Sequence, residues 1–368
     1  MKTVGVEEEF LLVDSVSGGT AARASRVLDR ARPTSGALHS ELLATQVEAA
    51  TGVCAELNEV RRQLTEGRLS LAAAARAEGL RLVASGTAVL PSPDPPPTEG
   101  ARFTRITDVY AAVVRGYQCC GCHVHVGVPD RETAVAVVNH LSPWLPTLLA
   151  LSANSPYHQG RDTGYASWRM VEQTRFPGSG ITPYFGSAAE YDRRVERLVE
   201  CGALADERMT FWLARPSPSY PTVEVRVADV GGRVDDAVLQ AALTRALVEH
   251  ALSELDAGRE APRLNEQLCA AAVWSAARYG LDGQGVDLRK EHPVAAADLV
   301  KELFATARPF LEQNGDLAEV QALLDRLGAD GTGASRQREA ASGGLRAVVD
   351  MLAEQTTSIP LLSTNGAS

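Results

Sequence analysis

Residues 3–13 place three consecutive carboxylates, Glu7, Glu8 and Glu9, inside an otherwise apolar run. An unpaired buried carboxylate is very costly, so such a run is tolerated only where something compensates the charge. Side chains on a strand alternate between faces. Glu7 and Glu9 therefore share one face, and Val4, Val6, Phe10 and Leu12 share the other. Glu8 falls on the apolar face, where it needs a partner or a local bulge. Two carboxylates about 7 Å apart on one face can share a divalent cation. The competing reading is an edge strand whose inward charges block aggregation.

Two further stretches repeat the design. Cys122, Val124, Val126 and Val128 alternate with His123 and His125, and Val223, Val225 and Val227 alternate with Glu224 and Arg226. An isolated strand histidine is more often structural than a ligand, and Glu224 beside Arg226 alone would be a surface ion pair worth about 0–1 kcal/mol. Three strands of one design instead point to ionisable faces lining a single polar cavity. Cys119, Cys120, Cys122 and His123 formally match a haem-attachment pattern and half of a zinc site. Cys201 and Cys269 stand alone, and Cys122 faces away from His123, so neither reading gathers a full ligand set. An acid-rich pocket with histidine and arginine suits Mg²⁺ and phosphate. That combination points to ATP-dependent chemistry without a P-loop.

The rest of the chain sets the frame. Its 368 residues can hold one large domain or two modest ones, and the net charge of −10 argues against nucleic acid as a partner. No signal-peptide plan opens the chain and no apolar run reads as long enough to cross a bilayer, so a cytoplasmic protein without a membrane partner is expected. Six cysteines, three crowded at 119–122 and the rest scattered, do not read as a disulfide framework. Periodicity predicts strands at 3–13, 45–50, 80–86, 122–128, 208–214 and 222–228. Helices are expected at 20–32, 54–79, 102–118, 131–151, 187–203, 234–257, 260–279, 291–312, 315–328 and 336–355. Residues 91–97, rich in proline, form a loop, and 152–185 read as a lid or binding loop. The glycine-rich segment 328–335 and the tail 356–368 are expected to be mobile. No dinucleotide-binding or P-loop pattern is present. The fold class is α+β: an antiparallel sheet domain over 1–258, a helical part over 259–355 packed on the same domain, and the flexible tail.

Several segments in order resemble one family. They are Gly5-Val6-Glu7-Glu8-Glu9-Phe10, Cys120-Gly121-Cys122-His123-Val124-His125-Val126-Gly127-Val128, Leu151 to Pro156, Asp162 to Ser167, Arg215-Pro216-Ser217, Tyr220 to Val227 and Ala277 to Gly283. Together they resemble the bacterial carboxylate–amine ligases of the glutamate–cysteine ligase type 2 group. The resemblance implies a glutamine-synthetase-like fold, a curved, mostly antiparallel sheet forming a funnel for ATP and Mg²⁺. The implied reaction joins a carboxylic acid to an amine or amino acid through an acyl-phosphate. By that resemblance Glu7, Glu9, Glu48, His123 and Glu224 are metal ligands, with Glu41 as a further acidic ligand. Arg226 would meet the γ-phosphate or the substrate carboxylate, Arg169 the acid substrate, and Tyr165 would join them around the cofactor. His125, or Asp229, would serve as the base beside Glu224 and Arg226. Leu213, Ser275 and His158 depart from the family pattern, which leaves the acid and the amine open. A homodimer is also implied. A metal-dependent amide hydrolase using the same Glu/His cluster is the alternative function.

Overall fold

The structure, a computed structural model, describes residues 2–358. Seven strands form its main sheet: β1 (Val4–Asp14), β2 (Ala37–Ser40), β3 (Gln46–Ala50), β4 (Leu80–Val83), β5 (Gly121–Gly127), β6 (Ala214–Pro216) and β7 (Thr222–Asp229). Their order is β6-β7-β5-β1-β3-β2, with β4 paired to the end of β1, and all of these pairings are antiparallel. β1 organises the sheet because it is long enough to pair three neighbours. Leu11 faces Gln46 of β3 on one side and Val83 of β4 on the other.

The alternation in the sequence becomes two different faces. Val4, Val6, Val124, Val126, Val223 and Val225 enter one core cluster with Leu64, Leu148, Val238 and Leu243 from the helices behind the sheet. Each such side chain contributes roughly 1.5–3 kcal/mol by leaving water. The Leu57–Ala77 helix comes close enough that a Cβ on Gly67 would sit 3.0 Å from the Cβ of Ala49 on β3. The helical part of the chain joins this same core through Val273, Leu303, Leu311 and Val320. The Leu345–Thr357 helix returns to the other end of β1, where Val348, Val349 and Leu352 pack with Leu11 and Leu82.

Several expectations are corrected. The segment 328–335 is not a free loop: the Gly333–Ala340 helix begins inside it, and the Ala334 amide donates to the Ala153 carbonyl at 2.8 Å. A Cβ on Gly333 would collide with the Asn154 side chain, so the glycine serves close packing rather than mobility. Thr356, placed in the expected tail, is buried in the last helix and accepts a hydrogen bond from the Ala84 amide at 2.9 Å; residues 359–368 lie outside the described residues. The strand expected at 208–214 divides, because Phe211–Trp212 pairs with Ser179–Gly180 while Ala214–Pro216 joins the main sheet. The helix expected at 336–355 is broken at Gly344, whose φ of 89° suits glycine. Residues 131–152 do form a run of helix apolar and long enough to cross a membrane by composition, but most of that run is buried inside the protein.

Candidate metal and nucleotide site

Strand register assembles the site. Glu7 lies opposite His123, Glu9 opposite Glu48, and Glu224 opposite both His125 and Arg215. The ionisable positions of β3, β1, β5, β7 and β6 thus fall on one stripe across the sheet, on the face opposite the valines. An irregularity between Val225 and Ala228 interrupts the β7–β5 pairing just beyond Glu224, and the Arg226 amide donates instead to the Leu213 carbonyl at 2.7 Å.

Two groups of ligating atoms result. Glu9, Glu41 and Glu48 each present a carboxylate oxygen within 4.8 Å of the others, and carboxylate oxygens of Glu7 and Glu224 and a ring nitrogen of His125 meet within the same distance. Glu41 reaches its group from the residue directly after β2. His123 stands between them, its Nδ1 3.4 Å from Glu7 and its Nε2 3.8 Å from Glu9. His125 holds its Nδ1 2.9 Å from Thr222 Oγ1 and its Nε2 3.3 Å from Glu7.

The electrostatics differ between the groups. Burial, then the neighbouring Glu41 charge, pushes Glu9 up to about 8 despite a 2.5 Å hydrogen bond from the Gly121 amide. Burial also raises Glu41 and raises Glu48 strongly, the latter reinforced by the charge of Glu41. Three buried acids facing one another each hold their protons more firmly than an exposed carboxylate does. Glu7 goes the other way: burial opposes its charge, but hydrogen bonds with His123 and His125 hold it far below the carboxylate range. Glu224 is likewise depressed, because Arg215 and Arg226 outweigh its burial. Burial and the Arg226 charge lower His123 to about 4, so its imidazole is neutral and fit to be a ligand. His125 is raised, the bonds with Glu7 and the Glu224 charge exceeding the effect of burial.

The donor set fits a hard divalent cation. Glu9, Glu41 and Glu48 offer oxygen alone, as Mg²⁺ prefers, while the second group mixes oxygen and imidazole nitrogen. The buried His123 Nε2 lacks any hydrogen-bond partner, an arrangement that a bound cation would satisfy. Arg226 contacts Glu224 through Nη1, and its buried Nε is also without a partner. All these groups except His125 and Glu224 line a cavity of about 200 Å³, whose other end is built by Phe103, Ile106, Tyr117, Met209 and Phe211.

The remaining sequence candidates separate. Arg169 does line the cavity, although its guanidinium donates to the Val227 and Arg226 carbonyls. A Cβ on Gly121 would collide with it, so the glycine at the start of β5 makes room for the guanidinium. Asp229 is corrected as a base: it is buried and accepts from the Asn154 amide, Ser155 Oγ and Ser167 Oγ at 2.7–2.9 Å. It thereby anchors the residues expected to be a lid. The structure does not bring Tyr165 to this cavity; its hydroxyl accepts from Trp274 Nε1 at 3.1 Å beside a separate cavity of about 840 Å³. The cysteines form no metal group among the described residues, and burial pushes the Cys119, Cys120 and Cys122 thiols well up. One residue escaped sequence reasoning. Arg215 grips Glu224 with Nε at 2.9 Å and Nη2 at 3.3 Å, and its Nη1 donates to the Arg208 and Thr210 carbonyls at 2.8 Å.

Comparison with known proteins gives the family and the fold. The profile of Glutamate-cysteine ligase family 2 matches residues 3–351. A Saccharopolyspora erythraea protein with the provisional name glutamate–cysteine ligase 2-2 is 56% identical over 96% of this chain and 92% of its own length. A Salinispora arenicola protein, provisionally named glutamate–cysteine ligase 2, is 46% identical over 98% of this chain and 96% of its own. The crystal structure of the Francisella tularensis glutamate–cysteine ligase in complex with AMP shares the fold, with a TM-score of 0.70 at 14% identity over 99% of this chain and 90% of that one. With the family profile running through all seven strands and every residue of the cavity, the chain belongs to glutamate–cysteine ligase family 2.

Proposed function

We propose that this protein is an ATP-dependent carboxylate–amine ligase, forming an amide bond of the γ-glutamyl type through an acyl-phosphate while ATP becomes ADP and phosphate. The observation that carries this reading is the meeting of Glu9, Glu41 and Glu48, acids without a cation of their own, with Glu7, His125, Glu224 and Arg226 on one face of one sheet. Glu7, Glu9, Glu41, Glu48, His123 and Glu224 are the proposed metal ligands. Bound Mg²⁺ would offset the charge of the ATP phosphates and of the departing ADP.

The chain's own residues supply the rest. Phosphorylating a carboxylate brings two anions together in line, and Arg226 places a fixed guanidinium where that repulsion develops. Glu224 holds Arg226 in place, and Arg215 in turn holds Glu224, so the cation is preorganised before substrate arrives. Arg169 supports the acid substrate from the β5 end of the cavity. The attacking amine must also lose its proton; His125, the base expected from the sequence, is proposed instead as a ligand beside Glu7 and Glu224, the group its ring nitrogen belongs to. The hydrolase alternative has no support from the family or its fold. The cytoplasm, which supplies ATP and Mg²⁺, is the compartment this chemistry needs, and a homodimer is the proposed assembly.

A screen of acid and amine pairs for phosphate release, with mass detection of the amide, tests the proposal. Release that requires both substrates and ATP is the expected result. Amide cleavage without ATP would overturn it.

A further inference from the structure

Glu8, the acid left on the apolar face of β1, has found its partner. Arg68, on the Leu57–Ala77 helix behind the sheet, donates to it through Nε at 2.9 Å and Nη2 at 2.5 Å, and both residues are at most 1% exposed. The rest of the guanidinium goes elsewhere. Nη2 also donates to the Gly231 carbonyl at 2.9 Å and Nη1 to the Gly232 carbonyl at 3.0 Å, with the Thr356 carbonyl at 3.5 Å. Gly231 and Gly232 follow β7, with Val230 alone between them and its end. A Cβ on Gly231 would stand 2.5 Å from the Cβ of Asp236, so the glycine allows the chain to pass close enough to present its carbonyl.

β1 and β7 are not neighbours, because β5 lies between them. One guanidinium therefore spans three strands from behind, tied to a side chain of the first and to the backbone leaving the third. The cavity face holds the counterpart of that span: Glu7 comes from β1, His125 from β5 and Glu224 from β7. The second group has a different origin. Glu9 comes from β1, Glu48 from β3 and Glu41 from the residue after β2, on the side of β1 opposite β5 and β7.

We propose that Arg68 is a positioning residue that sets the separation of β1 from β7, and with it the cation affinity of Glu7, His125 and Glu224 but not that of Glu9, Glu41 and Glu48. The planar, five-donor fork of arginine serves carboxylate and carbonyls at once, whereas lysine offers a point charge with fewer directed donors. This inference rests on the proposed metal role of the two groups.

The test is a Mn²⁺ titration of the full chain without nucleotide, followed by electron paramagnetic resonance. Glu224→Gln and Glu48→Gln assign the two classes of binding by the class each removes. Arg68→Lys is expected to weaken the Glu224-dependent class at least tenfold and to leave the Glu48-dependent class within threefold. Leu71→Ala, a core truncation on the same helix, is expected to lower Tm while moving neither class. Should Arg68→Lys fail to fold, Glu8→Gln, which keeps the side chain's shape but replaces one of the two accepting oxygens by a donor, is expected to give the same selective loss. Equal weakening of both classes, or of neither, overturns the proposal. Wild-type protein that binds no Mn²⁺ in either class overturns the metal reading beneath it, a result distinct from unselective weakening.

Discussion

Binding Mg²⁺ to this protein should release protons, and the acid cluster sets how many. Glu9 titrates near 8 in the metal-free protein, because burial and the charge of Glu41 disfavour its ionised form. At pH 7 it is therefore protonated about nine-tenths of the time, and a cation that needs the carboxylate must displace that proton. The apparent affinity should rise about tenfold per pH unit up to about pH 8, and more steeply if Glu41 or Glu48, also raised, gives up a proton. Stability carries the matching sign. A folded-state pKa lifted above the ordinary 4.5 favours the fold at low pH, and that contribution is lost as pH rises from about 4.5 through 8. Below about pH 6.5 the lowered His123 opposes this, gaining stability as pH rises, so the metal-free protein should lose Tm between about pH 6.5 and 8, and Mg²⁺ should restore more of it at pH 8 than at pH 6. Calorimetric titration of MgCl₂ at pH 7 in two buffers of different ionisation enthalpy reads the proton count directly. One or more protons released is the expected result, and Glu48→Gln should lower the number or abolish binding. Binding without proton release, with affinity flat between pH 6 and 8, would refute the reasoning.

Three further outcomes follow from the same geometry. Glu224→Gln should abolish amide formation, by at least about 100-fold, since it removes both a ligand and the charge that fixes Arg226; phosphate-release kinetics check this, with circular dichroism confirming a folded protein. Gly121→Ala drives a methyl group into the Arg169 guanidinium and should destabilise by about 1–3 kcal/mol in urea unfolding while lowering turnover. Cys119→Ser and Cys120→Ser should leave bound metal and turnover close to wild type, as metal analysis of the purified variants will read, because neither thiol belongs to a ligand group.

Much of the site was legible because period-two alternation is local. Glu7 and Glu9, His123 and His125, and Glu224 and Arg226 each declare a shared face within a few residues. Which acid meets which base is not local. The pairing of Glu9 with Glu48 and of His125 with Glu224 depends on strands tens of residues apart; Arg215 stands only nine residues before Glu224, yet it carried no visible role until its register opposite that acid was known. Glu41 lies just outside a strand too short and too exposed to alternate, and only family resemblance pointed to it. Arg68 was hidden among the arginines of an ordinary amphipathic helix. The reading of 328–335 as mobile erred for a physical reason: glycine is favoured both where a chain is loose and where it is crowded, and here Asn154 does the crowding. Tyr165 erred differently, since residues 154–169 are pinned by Asp229 and carry the tyrosine toward Trp274 instead of the cavity.

The most direct measurement is anomalous diffraction from crystals grown with Mn²⁺ and a non-hydrolysable ATP analogue. The account predicts metal peaks among Glu9, Glu41 and Glu48 and among Glu7, His125 and Glu224, with the analogue's terminal phosphate at Arg226. Nucleotide bound with its phosphates and metal away from this face of the sheet would contradict it.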